Sequence, residues 1–435
     1  MNIPVITVGQ SREDLVGGLE RLHGPVTVVR RCEELTELLA ACQSGLARAA
    51  VVADGSEDLT ASLVDRLGAV GVAVIALTDS VEEASRLRGI GVASALTGVE
   101  SAVLSDRIAE AVALLAGGVP PGAPRSSPAD PGAALTPVEA GTGKGPEEPG
   151  PGRIIAVWGP AGSPGRTTLA ANIAGELAAQ GKTVLLVDAD SYGASIAAVL
   201  GLMDESAGLA QACRLADQGL LDTEALKKVA TPVATKLGSF RVLTGITRAD
   251  RWTELRASAL ALVLERARQI AEVVVVDTGF CLEADEELSF DTMAPRRNAA
   301  TLRSLELADT VYAVGAADPV GVPRLVRGLA ELDAAVPQAA PVVVINKVRS
   351  SSVGRAPERQ LQDAWARYGP AWEIKAFLPD DGAAADAALL GGSLLLEVAP
   401  DSRLRRAIAE LVCAPAQQKS KTSVFSSTAR RKLKD

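Results

Sequence analysis

The residues Gly162, Ser163, Pro164, Gly165, Arg166, Thr167 and Thr168 stand between an apolar run and a helical pattern. Residues 154–158 read as a buried strand and 159–165 as a loop of small residues. Leu169, Ile173 and Leu177 then recur at helical spacing through 167–179, and 184–187 read as a second strand closed by Asp188 and Asp190. Strand, small-residue loop, helix, strand is the setting in which backbone N–H groups curl around phosphate oxygens, with the positive end of a helix dipole behind them. Thr167 offers a hydroxyl to Mg2+, and Thr168 is placed to reach an α-phosphate. Asp277 closes the apolar run 273–276 and can hold the same ion through water.

Elements able to position such a loop fill most of the chain. At 435 residues it is too long for one compact core, so two domains are expected. Apolar residues make up 48% and aromatics 3%, a composition suited to helices packed closely on a parallel sheet. Residues 117–152 are dense in Pro, Gly, Ser and Ala and nearly free of large apolar side chains, which predicts a flexible linker. The expected organisation is a unit over 1–116, the linker, a nucleotide-binding unit over 153–413 and a basic disordered tail over 414–435.

The net charge of −9 argues against nucleic-acid binding over the whole surface. Cys32, Cys42, Cys213, Cys281 and Cys413 are dispersed, with no CxxC and a single histidine, His23. That excludes a zinc site and predicts reduced, mostly buried thiols. The N-terminus has no signal-peptide pattern, and no apolar run approaches the ~20 residues that span a bilayer. A cytoplasmic protein is expected, at most polar or peripheral to the inner face of the membrane.

In the N-terminal unit, strands are expected at 3–8, 26–29, 49–53, 72–77 and 92–96, with helices between them, as at 33–43 and 58–67. Here the chain resembles a response-regulator receiver domain, a flavodoxin-like five-stranded parallel sheet. Asp54 stands at the phosphoacceptor position, and Thr78 matches the usual hydroxyl after strand four. Gly9 and Gln10 replace the acidic pair that holds Mg2+, and Thr97 and Gly98 stand where a Lys is expected. One carboxylate is a poor divalent-metal site. The unit is therefore read as a degenerate receiver used for protein contacts, with Asp54 a turn residue.

The C-terminal unit resembles the ParA/MinD family of deviant P-loop ATPases over about 260 residues. The resemblance rests on LAANIAGELAAQGKTVLLVDAD after the loop, Asp188-x-Asp190, VVVVDTG ending the Asp277 strand, a strand at 305–314, and Val342–Ile345 followed by Asn346-Lys347. Phe377-Leu378-Pro379-Asp380 and EVAPDS at 397–402 resemble its closing region. It implies a P-loop NTPase fold, a mostly parallel sheet with helices on both faces. It also implies ATP and Mg2+ as ligands: Gly162, Ser163, Gly165, Arg166, Thr167 and Thr168 on the phosphates, and Asn346 on adenine. Thr167 would hold Mg2+, with Asp188 and Asp277 behind it through water, and Asp190 would orient the attacking water. An ATP-dependent homodimer that binds a protein partner is implied as well.

The loop departs from the family's KGGVGKTT. Its first Lys is Ala161 and its second is Arg166, whose planar fork differs from an ammonium, so hydrolysis is expected to be slow, with Arg166 and Asp190 the catalytic candidates. Pro164 removes one N–H donor. An altered loop behind a degenerate receiver is similar to the CpaE/TadZ branch, which implies placement of Tad-type pili. Septum, plasmid or chromosome positioning is the broader expectation. The alternatives are a nucleotide-independent scaffold, a DNA-segregation ATPase and an ATP-dependent ligase, the last opposed by the lack of a glutaminase-like Cys with His. Asp285, Glu286, Glu287, Arg296, Arg297 and Asn298 are a candidate switch region or a solvated loop. Arg248, Asp250, Arg251 and Trp252 are read as capping and packing. The tail carries six basic residues and one acid, with too little apolar surface for membrane insertion.

Overall fold

The computed structural model describes residues 2–9, 15–22, 24–117, 151–202, 207–284 and 295–412. The N-terminal unit runs β1 (Ile3–Val8), α1 (Leu15–Arg21), β2 (Val26–Cys32), α2 (Leu35–Gln43), β3 (Ala49–Val52), α3 (Ala61–Ala69), β4 (Ala73–Leu77), α4 (Val81–Gly89), β5 (Ala93–Ala95) and α5 (Ser101–Ala116). Its five parallel strands lie in the order β2-β1-β3-β4-β5, the doubly wound flavodoxin-like arrangement. Strands β3 and β4 are buried on both faces, so they read as unbroken apolar runs instead of alternating ones. Leu38, Val64 and Leu87 of α2, α3 and α4 cover one face, and Leu19, Leu104 and Ile108 of α1 and α5 cover the other.

The C-terminal unit opens with β6 (Arg153–Trp158), α6 (Arg166–Ala179), β7 (Val184–Ala189), α7 (Ile196–Val199), α8 (Gly208–Asp217) and α9 (Thr223–Val229). A hairpin of β8 (Thr231–Thr235) and β9 (Gly238–Leu243) follows, then α10 (Ala257–Ile270), β10 (Val273–Thr278), α11 (Ala299–Leu307), β11 (Thr310–Ala316) and α12 (Gly321–Ala335). The chain continues through β12 (Pro341–Val348), α13 (Ser350–Val353), α14 (Pro357–Tyr368), β13 (Ile374–Pro379), α15 (Gly382–Leu390), α16 (Leu395–Val398) and α17 (Arg403–Val412). Eight strands lie in the order β13-β12-β11-β6-β10-β7-β9-β8, parallel except for the antiparallel edge strand β8. Helix α6 is buried almost all round between the sheet and α16–α17, because its Ala and Gly residues admit close neighbours. Arg405 of α17 clamps it through two bonds, at 2.6 and 2.8 Å, to the buried Glu176 carboxylate.

One sequence expectation is corrected. Residues 305–314 are not a single strand: Leu305 and Leu307 end α11, and β11 begins at Thr310. Asp309 makes the break. Its N–H donates to the Ile154 carbonyl (2.9 Å), its carboxylate accepts the Ile154 N–H (2.7 Å), and Arg268 pairs with it at 2.8 Å. Arg248 and Asp250 pair with each other, Arg251 pairs with Glu254, and Trp252 packs on the core beside α10. Cys32, Cys42 and Cys213 are buried free thiols and Cys281 is partly exposed, while Cys413, His23 and residues 285–287 lie outside the described residues.

The α3–α4 face of the first unit docks on α8 and α10 of the second. Asp217 accepts both the backbone N–H (2.8 Å) and the hydroxyl (2.5 Å) of Ser62. Arg86 donates to the carbonyls of Ser56 and Leu59 in its own unit and of Gln218 in the other, at 2.7, 2.9 and 3.0 Å. Gly219 allows this approach, since a Cβ there would stand 2.8 Å from the Arg86 carbonyl.

Candidate nucleotide site

The site forms where β6 stops. The chain leaves Trp158, turns through Gly159–Gly165 and enters α6, beside the ends of β7 and β10. Backbone shape demands the small residues: φ is +115° at Gly162, +53° at Ser163 and +98° at Gly165, the N-cap of α6. The first helical bond runs from the Leu169 N–H to the Gly165 carbonyl at 3.0 Å. The N–H groups of Arg166, Thr167 and Thr168 therefore open onto the loop.

Strand β12 braces the loop from beneath. The Asn346 amide nitrogen donates to the Pro164 carbonyl at 2.8 Å, and its oxygen accepts the Lys347 N–H at 2.8 Å. A Cβ on Gly165 would overlap that amide. The Lys347 ammonium, on a backbone with φ +59°, donates to the Ser163 carbonyl at 2.9 Å. Asn346 is thus a support of the loop, a task its resemblance to an adenine contact did not foretell.

Thr167 donates its hydroxyl to Asp277 at 2.6 Å. The other Asp277 carboxylate oxygen is buried with no hydrogen-bond partner. Burial, with the nearby Asp188 charge, pushes the Asp277 pKa well above the usual carboxylate range. Asp188 is also fully buried, and burial raises its pKa to about 6 although three backbone N–H groups oppose the shift. Those groups belong to Ser195 and Ile196 (2.9 Å each) and Asp190 (3.3 Å), so Asp188 also fixes the turn into α7.

Arg166 turns inward. Its guanidinium reaches the Asp190 carboxylate at 3.1 Å and the Gly159 carbonyl at 3.1 Å, and its Nε is buried without a partner. The other Asp190 oxygen accepts the Tyr192 and Gly193 N–H groups at 2.8 and 3.1 Å. Sequence reasoning missed what comes next. The Tyr192 hydroxyl donates to Asn298 at 2.8 Å, and Asn298 donates to the Glu283 carbonyl at 2.8 Å. The Arg297 guanidinium lies over the Tyr192 ring at 3.9 Å. Thr301 places a buried, unpartnered hydroxyl beside Gly279, close to Asp190. The VVVVDTG motif and Arg296-Arg297-Asn298 flagged this segment, but nothing in the spacing tied it to Tyr192.

The structure thus brings together Gly162, Ser163, Gly165, Arg166, Thr167, Thr168, Asp188, Asp190, Asp277 and Asn346. Their chemistry fits a phosphorylated ligand with a divalent ion: glycines where a Cβ would intrude, open N–H groups at a helix start, and a buried carboxylate oxygen with no hydrogen-bond partner. Asp54, in contrast, has its carboxylate bonded to the Gly55 N–H, and Thr97 pairs with Asp79 instead.

Comparison with known proteins matches this region. A family model described as the CobQ/CobB/MinD/ParA nucleotide binding domain covers residues 155–393. Among solved structures, the cell division ATPase MinD of Pyrococcus furiosus is 19% identical, over 60% of this chain and 96% of that one, with a TM-score of 0.46. A ParA family ATPase from Chlorobium tepidum TLS is 18% identical, over 60% and 98%, with a TM-score of 0.47. Cobyrinic acid a,c-diamide synthase from Mycobacterium smegmatis is 18% identical, over 59% and 91%, with a TM-score of 0.41. No curated protein matches. With more than half its length in that family match, which opens on the loop just described, the chain belongs to the CobQ/CobB/MinD/ParA nucleotide-binding family.

Proposed function

We propose that this protein is an ATP-controlled positioning or assembly factor of the MinD/ParA type, with Tad-type pilus placement as the specific role its two-unit layout resembles. The observation that carries the reading is the Thr167–Asp277 pair at the loop, with one Asp277 oxygen buried and unpartnered. Thr167 would hold Mg2+, with Asp188 and Asp277 holding it through water. The N–H groups from Gly162 to Thr168 hold the phosphates, and Asn346 keeps one amide hydrogen for adenine. Bound there, the ion would supply charge neutralisation for the phosphates. Arg166, once drawn away from Asp190, would steady the phosphates and the freed Asp190 would orient the water, giving slow ATP hydrolysis. ATP then favours a homodimer that binds a protein partner of the pilus, secretion or division machinery.

A second reading, a nucleotide-independent scaffold, is favoured by the Arg166–Asp190 ion pair, which holds the loop's cation away from any phosphate. Calorimetry with Mg2+ and ATP or ADP, with oligomeric state followed in parallel, separates the two. Micromolar binding with ATP-driven dimerisation supports the switch. No binding at millimolar ATP leaves the scaffold.

A further inference from the structure

We infer that Arg324, on the exposed side of α12, is the cation that reaches the terminal phosphate of the bound nucleotide, across the shoulder of the loop that Ala161 leaves uncharged. This rests on the nucleotide-binding reading above and names a residue that no loop motif contains.

Among the described residues, three cations touch the loop. Arg166 is committed to Asp190 and the Gly159 carbonyl, 12% exposed at its side chain. Lys347 is committed to the Ser163 carbonyl at 2.9 Å. Arg324 makes one long bond, 3.4 Å, to the Ala161 carbonyl, and no carboxylate lies within ion-pair distance of it among the described residues. Asp318 lines the same small cavity, of about 90 Å³, between the loop and the start of α12. Its Oδ1 already accepts the Val320 and Gly321 N–H groups at 2.9 and 2.7 Å, so it caps the helix start.

The loop makes room for this guanidinium. Gly162 has φ +115°, and a Cβ there would stand 2.6 Å from the Arg324 Nη1. The glycine thus serves the turn and also leaves the opening into which Arg324 leans. A guanidinium presents five N–H donors in a rigid fork, and a single weak bond leaves most of them for phosphate oxygens. Its anchor on the Ala161 carbonyl orients the fork along the loop before the ligand arrives, which lowers the ordering cost of binding.

A loop brace and a phosphate contact differ in one readout. A brace supports ATP and ADP equally, whereas a contact to the terminal phosphate supports ATP alone. The test is calorimetry on the full chain with Mg2+, titrating ATP and ADP into wild type, Arg324→Ala, Arg324→Lys and Thr167→Ala. The expected result is about a 10-fold or greater loss of ATP affinity in Arg324→Ala, little change for ADP, and partial recovery in Arg324→Lys. Equal loss for both nucleotides, or no loss for either, overturns the assignment. Failure of wild type to bind either nucleotide, with Thr167→Ala equally silent, overturns the nucleotide reading and the assignment with it. Arg324 is exposed, so its variants are expected to keep the wild-type melting temperature.

Discussion

Arg166 and Asp190 form an ion pair at 3.1 Å, with 12% and 7% of their side chains exposed. The phosphates of a nucleotide and the Asp190 carboxylate therefore compete for one guanidinium. Asp190→Asn removes the competitor and leaves a buried cation short of a partner. It is expected to tighten ATP binding several-fold while lowering stability by about 1–3 kcal/mol. Titration calorimetry and urea melts on one preparation check both; weaker ATP binding in this variant would show that the pair does not restrain Arg166.

Thr167→Ala and Asp277→Ala should each abolish the Mg2+ dependence of nucleotide binding. Asp277→Asn separates function from stability. A carboxyl whose folded pKa is raised contributes stability that is present below its unfolded pKa and lost as pH climbs towards the folded value, so above the ordinary carboxylate range the buried acid costs the ligand-free fold. Neutralising it should raise ligand-free stability by about 1 kcal/mol, about 1–2 °C in melting temperature for a unit of this size, as metal-dependent binding disappears. A melting temperature below wild type would contradict this.

Tyr192 and Asn298 tie the loop after Asp190 to the start of α11. Tyr192→Phe keeps the ring under Arg297 and strands the buried Asn298 oxygen, at a cost of about 1–2 kcal/mol. Hydrogen exchange should accelerate at residues 190–193 and 295–301 together. Acceleration at one segment alone would mean that they are not joined through this bond.

Glu272 is held down to about 2, first by the Lys182 ammonium and then by the Thr183 N–H. A depressed carboxyl stabilises the fold above its unfolded pKa, and that contribution fades as pH falls towards the folded value. Glu272→Gln should therefore melt below wild type at pH 7, with the gap narrowing between pH 5 and pH 3. A gap constant with pH would remove the carboxylate from the explanation.

Much of this was legible in the chain. Apolar runs such as Val273–Val276 announced buried parallel strands, and the small residues of 159–165 between strand and helix announced the loop, because such patterns are local. Polar pairing over long sequence distances was not legible. Arg166 finds Asp190, 24 residues on, Tyr192 finds Asn298 and Ser62 finds Asp217 only through the sheet order and the docking of the units. Arg324 sits on a helix after β11, in a stretch without motif, and only the fold brings it to Ala161. Asp309 misled the reading of 305–314, since its role as a break depends on Ile154 and Arg268.

Arg86 binds carbonyls of both units at once, so the N-terminal unit spends its α3–α4 side inward. What it still offers to an approaching protein is the reverse side, α1 and α5 with the rim strand β2. A recruiter that grips there would carry the nucleotide-binding unit along as a fixed load. Cutting the chain between residues 118 and 150 should then yield two fragments that travel together.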